Sequence, residues 1–465
     1  MAVIDLTNFT FRYPFSEETA VAVSALEIAA GECIVLCGKS GSGKTTFTRL
    51  VNGLIPEVYE GKWKGSFQTD TLKLGQSKIE DYASIVGSVF QNPNTQFFHL
   101  DSTKEIAFPC ENAGMDPDEI FNKIDTVSAN LELQDLLNRN LFKLSGGERQ
   151  KVALGAAAIH EPKIVVLDEP TSNLDAAAIA MVAHTIRQLK AKGMTVIVAE
   201  HRLEYLNGIA DRYCYFEAGE LKTVYSQESF LALNNDQLHQ KGLRSTDLAS
   251  YKENVQKLIG SFDFSTDSLL AGEELAIGYK KQAVLKEIPS FSIDEPMIIG
   301  IMGANGAGKT TFIKSLAGLL KFKHGQVYWK GKSQTAKQML KRCFLVMQDV
   351  HYQLFSESVK SEILLGAQDP ERYDEVIDLL DLRNLEDRHP VSLSGGQQQR
   401  VMIAAAICSG KDILIFDEPT SGLDYTNMEN VTKLMKRLKV MGKIIFVITH
   451  DQELAAKSCD KIMNF

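Results

Sequence analysis

CIVLCGKSGSGKTTFTRLVNGL (33–54) returns further along the chain as MIIGIMGANGAGKTTFIKSLAGL (297–319). Each copy reads as a short apolar strand, a glycine-rich loop of the form G-x-x-x-x-G-K-[ST], and an amphipathic helix start, which is the context a phosphate-binding loop requires. Glycines let successive backbone N–H groups curl around a β-phosphate, and the helix that follows adds its positive end. The candidate phosphate ligands are Gly38, Lys39, Ser40, Gly41, Ser42, Gly43, Lys44, Thr45 and Thr46 in the first copy. In the second they are Gly303, Ala304, Asn305, Gly306, Ala307, Gly308, Lys309, Thr310 and Thr311. Lys44 and Lys309 would bridge β- and γ-phosphates, and Thr45 and Thr310 would ligate Mg²⁺. The competing reading of one such loop is a glycine-rich turn that matches by chance; two in the same context leave that reading negligible.

The repeat extends well beyond the loops. LSGGE (144–148) recurs as LSGGQ (393–397), IVVLDEPTSNLD (164–175) as ILIFDEPTSGLD (413–424), and VIVAEH (196–201) as IFVITH (445–450). These three blocks share an offset of 249 residues, whereas the loops are offset by 265. The second copy has therefore lost residues between its loop and its LSGG segment, a change suited to surface loops and small subdomains. The spacing predicts a first domain over 1–225, a polar, partly helical tail and linker over 226–270, and a second domain over 271–465. Asp168 and Asp417 end apolar runs that read as buried parallel strands. A carboxylate at that end of such a strand lies where a nucleotide lies, so both are Mg²⁺ candidates. The next residues, Glu169 and Glu418, are placed to polarise the water that attacks a γ-phosphate.

Composition excludes several classes. The chain has 465 residues, 44 % hydrophobic and 23 % charged, with a net charge of −9. That is a globular balance, and the acidic excess disfavours nucleic acid as the main partner. The sequence has no run of about 18 apolar residues and no basic-then-apolar start. Work at a membrane is thus expected to go through a partner. The seven scattered cysteines form no C-x-x-C pair, which fits reduced thiols better than disulfides or zinc.

Taken together, the phosphate loop, LSGGE/LSGGQ, the Asp-Glu pair, SNLD/SGLD and a late histidine resemble the ATP-binding cassette (ABC) ATPases over nearly the whole chain. The resemblance implies an α/β fold of two tandem P-loop domains, each a RecA-like core with a helical subdomain. It makes Gln91 and Gln348 the glutamines that meet Mg²⁺ and the attacking water. It makes His201 and His450 the histidines that contact the γ-phosphate. Tyr13 and Tyr279, 25 and 24 residues before their loops, match the aromatics that stack on adenine, although a core tyrosine would look the same. In the family, each LSGG segment binds the γ-phosphate held by the opposite domain. Residues 38–45 would then work with Ser394, Gly395, Gly396 and Gln397, and residues 303–310 with Ser145, Gly146, Gly147 and Glu148. Both sites keep a full set of residues; Glu148 departs from the usual glutamine.

The stretch after each glutamine narrows the resemblance. QNPNTQFFHL (91–100) and QDVHYQLFSE (348–357) share Gln-x₄-Gln-x-Phe, followed by Glu105-Ile106 and Glu362-Ile363. Read blandly, this is a hydrophobic loop covering the helical subdomain. MQDVHYQLFSESV (347–359) with AEHR (199–202) resembles the fused, two-domain ATPases of energy-coupling-factor (ECF, cobalt-type) importers. That resemblance implies a peripheral location on the cytoplasmic face, a transmembrane coupling protein, and a separate membrane subunit that selects a vitamin or metal ion. Glu105, Glu357 and Glu362 are all candidates to meet an arginine of a coupling helix, and the sequence does not choose among them. The other readings are a tandem ABC ATPase acting on ribosomes and the ATPase of another transporter class. The ribosomal proteins join their domains by a long basic arm, whereas this linker carries four Lys/Arg against six Asp/Glu.

Overall fold

The computed structural model describes residues 2–172, 174–260, 262–279 and 283–465; Asn173 of the SNLD stretch lies outside them. The chain divides into two units, Met1–Asp247 with Asp424–Thr426 and Leu248–Leu423 with Asn427–Phe465. Within the polar connecting stretch, Gln227–Leu231 and Asn235–Gln240 are short helices of the first unit. The helix Ala249–Leu258 is part of the second.

Each unit is built on five parallel strands in the same spatial order. In the first, Arg212–Glu217 lies beside Cys33–Gly38, then come Thr195–Ala199, Ile164–Asp168 and Val86–Val89. In the second, Lys461–Asn464 lies beside Ile298–Met302, followed by Ile444–Ile448, Ile413–Asp417 and Cys343–Val346. Antiparallel strands complete both units. In the first they extend the same ten-stranded sheet; in the second they form a separate five-stranded one. Strands covered on both faces should be apolar throughout rather than alternating, and Cys33–Gly38 is buried at all six positions. The two-residue period of a strand sends Cys33, Val35 and Cys37 to the core shared with the helical subdomain. Ile34 and Leu36 go to the other face, with Phe47 and Phe216. All seven cysteines are buried and free.

Between Gln91 and Ser145 the first unit inserts two helices, Ser102–Asn112 and Pro117–Leu131, of 11 and 15 residues. Their counterparts Val359–Leu364 and Tyr373–Leu379 have only 6 and 7, so part of the shortening of the second copy falls in this subdomain. The Gln-x₄-Gln-x-Phe motif proves to be a loop clamp. Gln96 accepts from Phe90 N–H (3.1 Å) and donates to the Ser88 carbonyl (3.2 Å). Gln353 does the same with Met347 (2.7 Å) and Leu345 (2.8 Å). The buried Glu105 carboxylate accepts from Phe98 and His99 N–H (2.9 and 2.8 Å). The buried Glu362 accepts from Phe355 and Ser356 N–H (both 2.7 Å). Of the three acidic candidates left open by the sequence, two are thus committed to holding the loop, and Glu357 is the exposed one.

Glu105→Ala or Glu362→Ala leaves two backbone N–H groups without their acceptor. Each substitution is expected to lower unfolding stability by about 1–3 kcal/mol in urea titrations; an unchanged midpoint would show that the clamp is not needed.

Candidate active site

The P-loops use glycine where no side chain fits. At Gly38 (φ 149°) a Cβ would stand 2.2 Å from the Phe216 carbonyl oxygen, and at Gly303 (φ 149°) 2.2 Å from that of Phe465. Both loops are thereby pressed against the adjacent strand's end. The helices Lys44–Val51 and Lys309–Leu316 start from left-handed Gly43 and Gly308 without a side-chain cap, so anions can approach their first-turn N–H groups. Lys44 Nζ donates to the carbonyls of Gly38 (2.9 Å) and Lys39 (3.0 Å). Lys309 Nζ donates to Gly303 (2.7 Å) and Ala304 (2.9 Å). Burial holds the Lys44 ammonium below its ordinary pKa range. Ser42 Oγ is buried in the loop with no hydrogen bond among the described residues, a polar atom suited to a phosphate-filled loop.

Strand order places the other groups at the same sheet edge. Thr45 Oγ1 lies 3.4 Å from Asp168 Oδ1, and Thr310 Oγ1 lies 3.2 Å from Asp417 Oδ2. Burial raises both aspartates. A hydroxyl, a carboxylate and the Gln91 or Gln348 amide are hard oxygen donors, few enough to share Mg²⁺ with phosphates and water. Glu169 (φ 47°) and Glu418 (φ 51°) sit in the left-handed region, which costs a non-glycine residue about 1–3 kcal/mol and is typical of functional sites. Glu169 accepts from Gln91 Nε2 (2.7 Å) and Ser172 Oγ (3.3 Å) and faces His201 Nε2 at 3.6 Å. Glu418 faces His450 Nε2 at 3.7 Å. Desolvation first, then the neighbouring Asp168 and Glu200 charges, push Glu169 up to about 8. Burial, then Lys44 and Arg244, holds His201 well below its ordinary value, which favours the neutral imidazole.

The tyrosines reach the same loops. Tyr13 OH is 3.2 Å from Thr46 Oγ1 and accepts from Arg49 (3.2 Å), with its ring edge-on to Phe11 at 5.0 Å. The half-exposed Tyr279 accepts from Thr311 Oγ1 (3.4 Å). The LSGG segments occupy a different place, the starts of helices Gly146–Ala158 and Gly395–Cys408. There Ser145 and Glu148 form a reciprocal capping box, as do Ser394 and Gln397. The box needs only a side-chain oxygen at its third helical position, which explains how glutamate stands in for glutamine. The Ser145 hydrogen bonds hold the Glu148 carboxyl below its usual range. Gly147 is required by packing, since a Cβ would lie 2.6 Å from Ala178 Cβ.

The ABC transporter family profile matches residues 22–172 and 286–421. A putative ABC transporter ATP-binding protein of Treponema denticola is 40 % identical over 99 % of this chain and 95 % of its own length. The chain belongs to the ABC transporter ATP-binding family. It is a tandem ABC ATPase. The putative HMP/thiamine import ATP-binding protein YkoD of Bacillus subtilis is 29 % identical, over 99 % of this chain and 89 % of its own. Among solved structures, one described as a model of ribosome-bound archaeal Pelota and ABCE1 matches with a TM-score of 0.69 at 25 % identity, over 98 % of this chain and 76 % of that one. ABC ATPases in general use ATP with Mg²⁺. Among the described residues, no helix is long and apolar enough to cross a membrane.

Sequence reasoning did not single out Ser172, Thr171, Glu200 or Asp451, all of which act around the two glutamates and histidines. The recurring Pro-Thr-Ser after each Asp-Glu pair was the available signal.

Glu169 provides a pH test. Its carboxyl, ordinarily near 4.5, is raised to about 8 in the folded chain. Between those values the folded state holds a proton that the unfolded state releases, so stability falls as pH rises. Glu169→Gln removes this penalty. Its melting temperature should match the parent at acidic pH and gain progressively as pH rises towards about 8; a pH-independent difference would refute the raised value.

Proposed function

We propose that this ATPase powers a membrane importer of the energy-coupling-factor type, carrying a vitamin or metal-ion micronutrient. It would sit on the cytoplasmic face, held there by a transmembrane coupling protein and a substrate-binding membrane subunit. The observation that carries the reading is the pair of loops following Gln91 and Gln348. Phe98 and Phe355 are 77 % and 78 % exposed, on loops that Gln96, Glu105, Gln353 and Glu362 clamp from beneath. Exposed apolar side chains gathered on one loop, Phe98 with Leu100 and Phe355 with Tyr352, fit a partner surface, and the first of these loops begins at Gln91, which hydrogen-bonds Glu169. A membrane helix seated on Phe98 would thus be coupled to nucleotide chemistry in the first unit. The relative named for HMP/thiamine import supports the vitamin branch.

In the mechanism, Tyr13 and Tyr279 bind adenine, and the P-loops with Lys44 and Lys309 bind the phosphates. Thr45, Asp168, Gln91, Thr310, Asp417 and Gln348 would hold Mg²⁺, which, when bound, neutralises developing charge on the phosphates. Glu169 and Glu418 orient and deprotonate the attacking water, while His201 and His450 hold the γ-phosphate end. Ser145, Gly146, Gly147 and Glu148, with Ser394, Gly395, Gly396 and Gln397, add helix-start N–H groups to that charge. The match to a ribosome-bound archaeal structure favours a second reading, a soluble translation factor.

The Glu169→Gln/Glu418→Gln chain should bind ATP while hydrolysis falls by orders of magnitude. Isolated from cells, it should fractionate with membranes and co-purify with small hydrophobic proteins. Recovery with ribosomes would replace the import reading by the translation one. Hydrolysis at the parent rate would overturn the catalytic roles. Phe98→Asp/Phe355→Asp should abolish membrane association and leave ATP binding intact; retained association would remove the phenylalanines from the docking surface.

A further inference from the structure

The two histidines reach their glutamates over nearly equal distances, 3.6 Å for His201–Glu169 and 3.7 Å for His450–Glu418. Yet the loops that hold them differ in sequence, Glu200-His201-Arg202 against Thr449-His450-Asp451. The acidic residue precedes the histidine in one copy and follows it in the other. The structure brings both carboxylates to the same acceptor role. Thr171 Oγ1 donates to Glu200 Oε2 at 2.7 Å, and its counterpart Thr420 Oγ1 donates to Asp451 Oδ2 at 2.9 Å. All four side chains are buried.

Chain length explains how two positions serve one purpose. Glutamate has the extra methylene needed to fold back over its own loop. Glu200 Oε1 accepts from the N–H of His201 (2.8 Å) and Arg202 (3.1 Å), while Oε2 also accepts from Tyr205 OH (3.2 Å). Aspartate, placed one residue after the histidine, reaches the threonine directly. Its other oxygen accepts from Leu454 N–H (3.1 Å), and its own N–H donates to Thr449 Oγ1 (3.0 Å). The secondary structure follows the choice. Asp451 caps an α-helix, Gln452–Ser458, whereas the chain after Glu200 makes only a 3₁₀ turn, Glu204–Leu206.

We propose that Glu200 and Asp451 are equivalent positioning residues: each latches its loop to the threonine two residues beyond the Asp-Glu pair, and so sets the histidine against the glutamate. Thr171 and Thr420 lie directly after the segments bearing Glu169 and Glu418, so one hydrogen bond ties the two elements whose relative position matters. The inference rests on the catalytic roles proposed for Glu169, Glu418, His201 and His450.

The test compares full-length chains by steady-state ATPase, ATP binding and thermal melting. In the first, Glu200→Gln/Asp451→Asn, both latches are weakened. In the second the arrangements are exchanged, with Glu200→Thr/Arg202→Asp in one copy and Thr449→Glu/Asp451→Arg in the other. The weakened chain should turn over about tenfold more slowly at saturating ATP with little change in KM, the pattern of lost alignment rather than lost binding. The exchanged chain should recover to within about threefold of the parent. A folded weakened chain at the parent rate, or a folded exchanged chain as slow as the weakened one, overturns the proposal. If the weakened chain does not fold, the exchanged chain decides alone, because it keeps both carboxylates; failure of that chain to fold as well shows that the two latches are not equivalent. Glu169→Gln/Glu418→Gln assayed alongside keeps the readings apart: hydrolysis there at the parent rate defeats the catalytic roles, whereas its loss beside an unaffected weakened chain defeats only the latch.

Discussion

A backbone hydrogen bond from Glu169 N–H to the Ala199 carbonyl (2.8 Å), matched by Glu418 to Ile448 (2.9 Å), ties the end of one central strand to the end of its neighbour. The residue making it is left-handed in both copies. The turn it creates points the glutamate back over the sheet edge, towards the histidine that follows the neighbouring strand. The P-loop strand lies on the other side of that neighbour. Aspartate, glutamate, histidine and P-loop therefore converge because three parallel strands end together. Backbone strain at the glutamate is the cost of that convergence, and its repetition ties it to the site rather than to an accident of packing.

Desolvation dominates the electrostatics. In the first unit burial is the leading cause acting on Lys44, Asp168, Glu169 and His201, and in each it favours the uncharged form. A low-dielectric cluster of this kind magnifies the field of any multiply charged ligand brought to it. Phosphates placed there would favour the charged lysine and oppose further negative charge, so proton positions depend on what is bound.

The copies share a scaffold and differ in detail. The second has the shorter helical subdomain, a glutamine where the first has the anionic Glu148, and the exposed Glu357 where the first has the exposed Leu100. Some exchanges change charge and keep the local geometry, and others keep a carboxylate's role while changing the structure around it. Gln397 and Glu148 fill the same capping box, and Glu200 and Asp451 accept from equivalent threonines.

The sequence by itself determined the repeat, the P-loop strands and helices, and the residue types whose chemistry suits phosphate and Mg²⁺. These depend on local rules: glycines permit a loop no other residue can follow, strands buried on both faces are apolar throughout, and a helix start needs a cap. Only the tertiary structure decided which carboxylates are available. Glu105, Glu362 and Glu357 read alike in sequence, yet two are buried clamps and one is exposed, because hydrogen bonds to backbone N–H groups form only once the loop has folded over its helix. Glu200 and Asp451 were illegible for a related reason. Their equivalence is spatial, set by a threonine roughly thirty residues away in sequence, and no pattern along the chain records which of two neighbouring carboxylates will reach it.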